Sequence, residues 1–268
     1  LGETPPAIFA VVPKTLNVKT PPVLALAVEL SKAGLLRDSS EAVQAAVGTV
    51  GGAEQALAFG HALQSMGEFA AAHALAARHL WGAVYTLATP EAVALMYPRA
   101  WRDSVERAAA DSHTDASFAW AIMRRESAFR PDVISAADAR GLMQIIPPTA
   151  RQIALETKRD QPSPDDLFSP ETNVSLAAWY LAALFNRLEH PGLVAAAYNG
   201  GPSAVVKWVA ARGDEAFDLF VEDIPYKETR GYVKQVVADY FIYRALYGDG
   251  GGVLSLVVPK PRTKGVDF

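Results

Sequence analysis

The 268-residue sequence contains no cysteine, which excludes disulfides and thiolate metal sites. That absence suits an extracytoplasmic compartment without establishing one. No apolar run is long enough to span a bilayer, since the longest candidates, such as Val23–Val28, fall far short of the roughly 20 residues needed. A basic excess is also missing. The net charge of −4 argues against nucleic acid as a partner, because its binders usually carry a basic surface. The five histidines, His61, His73, His79, His113 and His190, show no metal-ligand motif. His73 and His79 do not share one helix face and are expected at the surface, so neither a metal nor a cofactor is expected. Gly248–Gly252 is glycine-rich but lacks the strand-to-helix context of a phosphate loop, and reads as a linker. The chain begins with neither Met nor a basic stretch followed by an apolar one, as expected of a mature or trimmed chain. Period-two alternation is absent until Val253–Val258, so the expected class is all-α.

What remains is a helix-forming composition. Half of the residues are hydrophobic, which makes a soluble globular chain of one large or two small domains. Residues 1–21 read as an extended arm rich in Pro, Thr and Val. Over 22–112 the spacing predicts helices at Leu24–Leu36, Ser40–Val47 (capped by Ser39 or Ser40), Ala53–Met66, Glu68–Trp81, Glu91–Met96 and Trp101–Ala110. Ala53–Met66 and Glu68–Trp81 are expected to form a pair hinged at Gly67, and small apolar residues at this spacing suit a solenoid-like array of antiparallel helices. Asp115 can cap the next helix, placing a domain boundary at Asp111–Thr114. A second α-helical domain over 113–247 is expected to hold helices at Thr149–Glu156, Glu171–Leu188, Pro191–Tyr198, Pro202–Ala210, Asp214–Val221 and Thr229–Tyr247. A tail over 248–268 follows.

The chemistry concentrates after Asp115. In Phe118–Phe129, Phe118, Ile122 and Phe129 share one helical face, with Ala119 and Met123 beside them. Glu126 follows Ile122 by one helical turn, on the flank of this apolar stripe. Desolvation there pushes a carboxyl toward its neutral form, which can donate a proton. The plainer alternative is that Glu126 ends the helix in water, or pairs with Arg124 or Arg125.

Four segments follow in order: Glu126-Ser127-Ala128-Phe129, Gly141-Leu142-Met143-Gln144-Ile145, Ala197-Tyr198-Asn199-Gly200-Gly201-Pro202, and Pro225-Tyr226-Lys227-Glu228-Thr229-Arg230-Gly231-Tyr232. Together, over about residues 98–247, they resemble the soluble lytic transglycosylases, whose catalytic domain has a lysozyme-like α fold. That resemblance implies a periplasmic enzyme acting on peptidoglycan glycan strands, with cell-wall synthesis proteins as further candidate partners. It makes Glu126 the single catalytic acid and base for cleavage between N-acetylmuramic acid and N-acetylglucosamine without water, giving a 1,6-anhydromuramyl product. Charge at the anomeric carbon would be met by the substrate's own N-acetyl group, so no second carboxylate is required close by.

By the same matching, Ser135, Gln144, Ile146, Tyr198, Asn199 and Glu228 are substrate-binding candidates. Ser135 would lie near the scissile sugars, Gln144 would hydrogen-bond the glycan, and Ile146 would form an apolar wall where Met is common. Tyr198 would orient the carboxyl or the N-acetyl group. Asn199 could face the cleft or simply end its helix, and Glu228 would line the groove, with Arg230 as a local partner. Gly200 stands where Ala is common, and Ser203 where Gly is common. Asp132 and Asp138 read as surface or turn residues. Two other readings remain open. One is a lysozyme-type hydrolase using Glu222 or Asp223 as a second acid, and the other a non-catalytic glycan-binding or scaffold protein. The array is too short to close the ring that the family's longer members build.

Overall fold

Alanine and leucine recurring every three to four residues fold the chain into helices joined by short turns. The computed structural model describes residues 21–87, 90–248 and 252–262. The expected N-terminal arm, all but Pro21, lies outside them. Among the described residues there are helices and isolated bridges but no strand, so the chain is all-α. It divides into two compact units, residues 1–100 and 101–268.

The first unit contains α1 (Ala25–Lys32), α2 (Leu36–Val47), α3 (Ala53–Ser65), α4 (Phe69–Leu87) and α5 (Pro90–Met96). Here α1 packs on α2, α3 on α4, and α4 on α5, an array of sequential helices. The single helix expected over Leu24–Leu36 is two. Gly34 adopts φ +77°, a left-handed conformation that ends α1 and lets α2 begin at Leu36. Ser39 and Ser40 are consequently inside α2 and cap nothing. Ser39 is buried, and its hydroxyl donates to the Ala27 carbonyl at 2.8 Å, tying α2 to α1.

The second unit holds α6 (Arg102–Ser112), α7 (Ala116–Glu126), α8 (Pro147–Thr157), α9 (Pro170–Leu188), α10 (Pro191–Gly200), α11 (Pro202–Arg212), α12 (Phe217–Glu222) and α13 (Lys227–Tyr247). Because α6 packs on α9, it belongs to this unit, and the division falls between Ala100 and Trp101 instead of at residues 111–114. Asp115 caps α7 as its sequence predicts, accepting from the Ser117 N–H at 2.8 Å. Residues Phe118–Met123 are all buried, so α7 is apolar on every side and forms the axis of the unit. Phe118 meets Phe185 and Tyr240 edge-on, and Trp120 stacks on Tyr243 of α13.

Val253–Val258 forms no strand. Its polypeptide makes one bridge, between Val257 and Ala216, and the Phe217 N–H donates to the Leu256 carbonyl. His190 is buried: Nδ1 accepts from the Gly192 N–H to cap α10, and Nε2 meets the Ser255 carbonyl at 2.9 Å. Lacking Asp or Ser at its N-terminus, α10 is capped by an imidazole.

Candidate active site

Glu126 is the last residue of α7, where the chain leaves its helix abruptly. Ala128 and Phe129 take φ values of +47° and +66°, left-handed conformations that cost non-glycine residues about 1 kcal/mol or more each. Burial of the Phe129 ring helps offset that cost, and the reversal keeps the Glu126 side chain at the mouth of a cleft rather than inside a continuing helix. Desolvation pushes the Glu126 carboxyl up from 4.5 to about 7, against a lowering by a hydrogen bond from the Tyr232 hydroxyl and with a smaller upward push from Glu228. The negative end of the α7 dipole acts in the same direction as burial. Near neutral pH this carboxyl is divided between its two protonation states. Arg124 and Arg125, which the plainer reading pairs with Glu126, both donate to Asp239 of α13 instead.

The segment between α7 and α8 forms one wall. Gly141 adopts φ +74°, and a Cβ there would lie 2.2 Å from the Leu167 carbonyl oxygen, so this turn requires glycine. Asn173, fully buried on α9, holds the wall in place. Its amide donates to the Arg140 and Leu167 carbonyls at 2.9 and 2.8 Å, and its Oδ1 accepts from the Met143 N–H at 2.7 Å. Gln144, at φ +48°, donates its amide to the Val133 and Gly141 carbonyls, which leaves Oε1 as the atom available to a donor in the cleft. The exposed Ser135 Oγ accepts from the Ala137 and Ala139 N–H groups, so its hydroxyl proton is free to point outward. Ile146, the residue before α8, is 38% exposed.

Helices α10 and α13 supply the opposite wall. The Tyr198 hydroxyl donates to the Met143 carbonyl at 2.7 Å and not to Glu126; Tyr232 supplies the phenol that reaches the carboxyl. Asn199 does not end its helix, which continues to Gly200. Its Oδ1 accepts from the Thr229 hydroxyl at 2.6 Å, and its Nδ2 lies 3.5 Å from Glu228 Oε1. Arg230 donates to the Ile224 carbonyl, so it is not the local partner expected for Glu228. Glu126, Ser135, Gln144, Ile146, Tyr198, Asn199 and Glu228 all line one cleft of about 390 Å³.

Residues 103–221 match the transglycosylase SLT domain, and residues 223–251 match the soluble lytic transglycosylase helical domain. The second unit thus carries a transglycosylase SLT domain. The soluble lytic murein transglycosylase of Escherichia coli K12 is 38% identical over 164 residues, which are 59% of this chain and 25% of that protein. Its Salmonella typhimurium counterpart has the same identity over the same length. Among solved structures, the complex of the 70-kDa soluble lytic transglycosylase with bulgecin A superposes with a TM-score of 0.71 at 26% identity, covering 96% of this chain and 40% of that one. An inactive mutant of lytic transglycosylase Slt from Pseudomonas aeruginosa gives 0.67 at 25% identity, covering 96% and 41%. The chain thus spans about a quarter of the length of the curated relatives it matches. The helical-domain match falls on α13, not on the N-terminal array.

In this SLT-domain unit, the cleft side chain that motif matching passes over is Tyr232. It closes the segment beginning at Pro225, and its spacing of four from Glu228 puts both on one face of α13. The Gly200 departure from the family pattern has a local cause, since a Cβ there would meet Thr229 Oγ1 at 3.0 Å and the Trp208 ring at 3.2 Å. The acids proposed for a hydrolase are engaged elsewhere: Glu222 pairs with Lys234, and Asp223 with Arg212. Neither lines the cleft, and among the described residues Glu228 is its only carboxylate besides Glu126. No group of side chains suited to holding a metal ion occurs among the described residues.

Proposed function

We propose that this chain is a lytic transglycosylase that cleaves the β-1,4 bond between N-acetylmuramic acid and N-acetylglucosamine in peptidoglycan, acting in the periplasm. The observation that carries this reading is the Glu126 carboxyl, poised at about 7 with a phenol on one oxygen and one exposed carboxylate as its only acidic neighbour in the cleft. A group poised near the working pH can serve as acid and then as base in one cycle. Neutral Glu126 gives its proton to the departing glycosidic oxygen as the bond to the anomeric carbon breaks. The substrate's N-acetyl oxygen bonds to that carbon and carries the charge. The Glu126 carboxylate, stabilised by the Tyr232 hydroxyl, then takes the proton of the C6 hydroxyl, whose oxygen displaces the acetamido oxygen and closes the anhydro ring. The proton returns to Glu126, and no water is consumed.

The remaining side chains suit sugar groups. Gln144 Oε1 can accept from an acetamido N–H or a hydroxyl, and the Ser135 hydroxyl can donate to one. Ile146 offers an apolar edge to a sugar face, Tyr198 packs beside the acid, and Asn199 with Glu228 forms the polar rim. Cell-wall synthesis proteins stand as candidate partners.

Mass spectrometry of peptidoglycan digested by this protein and by its Glu126→Gln variant tests the reading. Anhydromuropeptides from the unaltered protein and none from the variant are expected. Reducing ends from the unaltered protein would make it a hydrolase. Intact peptidoglycan that is nevertheless bound would make it a glycan-binding protein.

A further inference from the structure

We propose that Asp239 acts as a charge trap, a positioning residue that holds Arg124 and Arg125 away from Glu126 so that the acid has no cationic partner. This inference rests on the reading of Glu126 as the acid. The two arginines immediately precede Glu126 in the last turn of α7, and a guanidinium beside a carboxylate ordinarily holds it ionised. Both donate to one carboxylate. Arg124 Nη1 donates to Asp239 Oδ2 at 2.8 Å, while Arg125 Nε and Nη2 donate to Oδ2 and Oδ1 at 2.5 and 2.8 Å. Arg125 Nη1 also reaches Gln235 Oε1. The Asp239 side chain is only 1% exposed, so the pairing is made in the interior of the α7–α13 contact.

Glu228, Tyr232, Gln235 and Asp239, spaced four, three and four residues apart, form one polar stripe on α13. Seven residues separate Tyr232 from Asp239, about 10 Å along the helix. The stripe therefore meets the acid at one end and its two cationic neighbours at the other. The Arg125 charge still reaches the Tyr232 phenol, pulling it down against burial, so the acid lies within electrostatic range of whatever Asp239 fails to hold. The groups acting on the carboxyl itself are Tyr232 and Glu228 from α13, and the carboxyl in turn pushes up Tyr198 of α10. Tyr180 of α9 acts on Tyr198, and Arg130, on the segment after α7, donates to the Ser127 carbonyl. No charged group of α6 or α9 lines the cleft. Asp115, at the far end of α7, is occupied by the Ser117 N–H and the Tyr240 hydroxyl.

Charge arithmetic defines the experiment. Arg124, Arg125 and Asp239 sum to +1; Asp239→Asn makes +2, Arg125→Gln makes 0, and the double variant restores +1. One added unit charge about 10 Å away, in an effective dielectric of about 20, shifts a carboxyl by about one pH unit. The high-pH limb of kcat/KM on soluble glycan fragments is expected to fall by about one unit in Asp239→Asn. It should rise by a similar amount in Arg125→Gln and return to its original position in the double variant. A purely structural role for Asp239 would lower the rate at every pH without moving the limb, and that result overturns the proposal. If Asp239→Asn does not fold, Arg125→Gln decides alone: a limb that stays put refutes the trap. Glu126→Gln is measured alongside. Should it remain active, the reading of Glu126 as the acid fails; should it be inactive while the limbs of the other variants stay fixed, only the trap fails.

Discussion

Replacing Glu126 by Gln should make the protein more stable, and only at high pH. A carboxyl raised from 4.5 to about 7 in the folded state costs nothing while it is neutral in both folded and unfolded chains, below pH 4.5. Above 4.5 the unfolded carboxyl ionises freely while the buried one cannot, so stability is lost progressively until the pH passes about 7. The difference of about 2.5 units corresponds to about 3 kcal/mol at 1.36 kcal/mol per unit. Gln is nearly isosteric, cannot ionise, and can still accept from the Tyr232 hydroxyl, so it removes this cost while leaving the packing alone. Urea denaturation followed by circular dichroism at pH 4 and pH 8 measures both ends. Near-equality is expected at pH 4 and an advantage of about 3 kcal/mol for the variant at pH 8. In a unit of this size that corresponds to roughly 6–12 °C in Tm. A difference independent of pH would refute the reasoning, because it would mean that the carboxyl ionises in the fold as readily as in the unfolded chain.

Tyr232→Phe removes the hydrogen bond that lowers the carboxyl, so the acid should titrate higher. The high-pH limb of the rate profile is expected to move up by about one to two units, as a bond to a charged group worth about 1.5–3 kcal/mol implies, and a limb moving down would contradict the assignment. Asn173→Ala leaves the Met143 N–H and the Arg140 and Leu167 carbonyls without their partner. A loss of about 3 kcal/mol in urea denaturation is expected, and less than about 1 kcal/mol would show that the wall does not depend on Asn173. Gly141→Ala combines a left-handed backbone with a Cβ 2.2 Å from a carbonyl oxygen, whereas Gly67→Ala, at φ +80° in open space, carries the conformational penalty alone. Thermal denaturation should show the first costing more than about 2 kcal/mol and the second about 1 kcal/mol, and equal effects would remove the steric argument.

What was legible in the sequence follows the range of the interactions responsible. The helices α3, α7, α9 and α13 are announced by apolar spacing, and Asp115 announces the start of α7, because turns and caps are local. Gly34 divides an otherwise continuous pattern, which periodicity alone does not register. Val253–Val258 alternates as a strand would, yet ladder formation depends on partners, and among the described residues its one bridge is to Ala216. The division between the units is likewise decided by packing of α6 on α9, whose sequences are far apart. Capping of α10 by His190 depends on the tail, through Ser255, as much as on local sequence.

The site divides in the same way. Motif order alone brings Glu126, Gln144 and Tyr198 together, but it says nothing of where their hydrogen bonds go. Local reasoning gives Glu126 the adjacent arginines as partners, since a carboxylate and a guanidinium in neighbouring positions attract. That expectation fails because Asp239, 114 residues beyond Arg125, offers both arginines a buried carboxylate that Glu126, turned into the cleft, does not. The signal was nevertheless present. Glu228, Tyr232, Gln235 and Asp239 recur at helical spacing in a helix whose other positions include Val233, Val236 and Tyr243, all buried. A polar stripe beside an apolar one costs free energy unless it faces polar partners or water. A buried Asp on such a stripe points to cations on a packed helix, and the chain has Arg124 and Arg125 on the apolar α7, beside its acid. Read that way, the stripe identifies both the phenol that touches Glu126 and the carboxylate that removes its competitors.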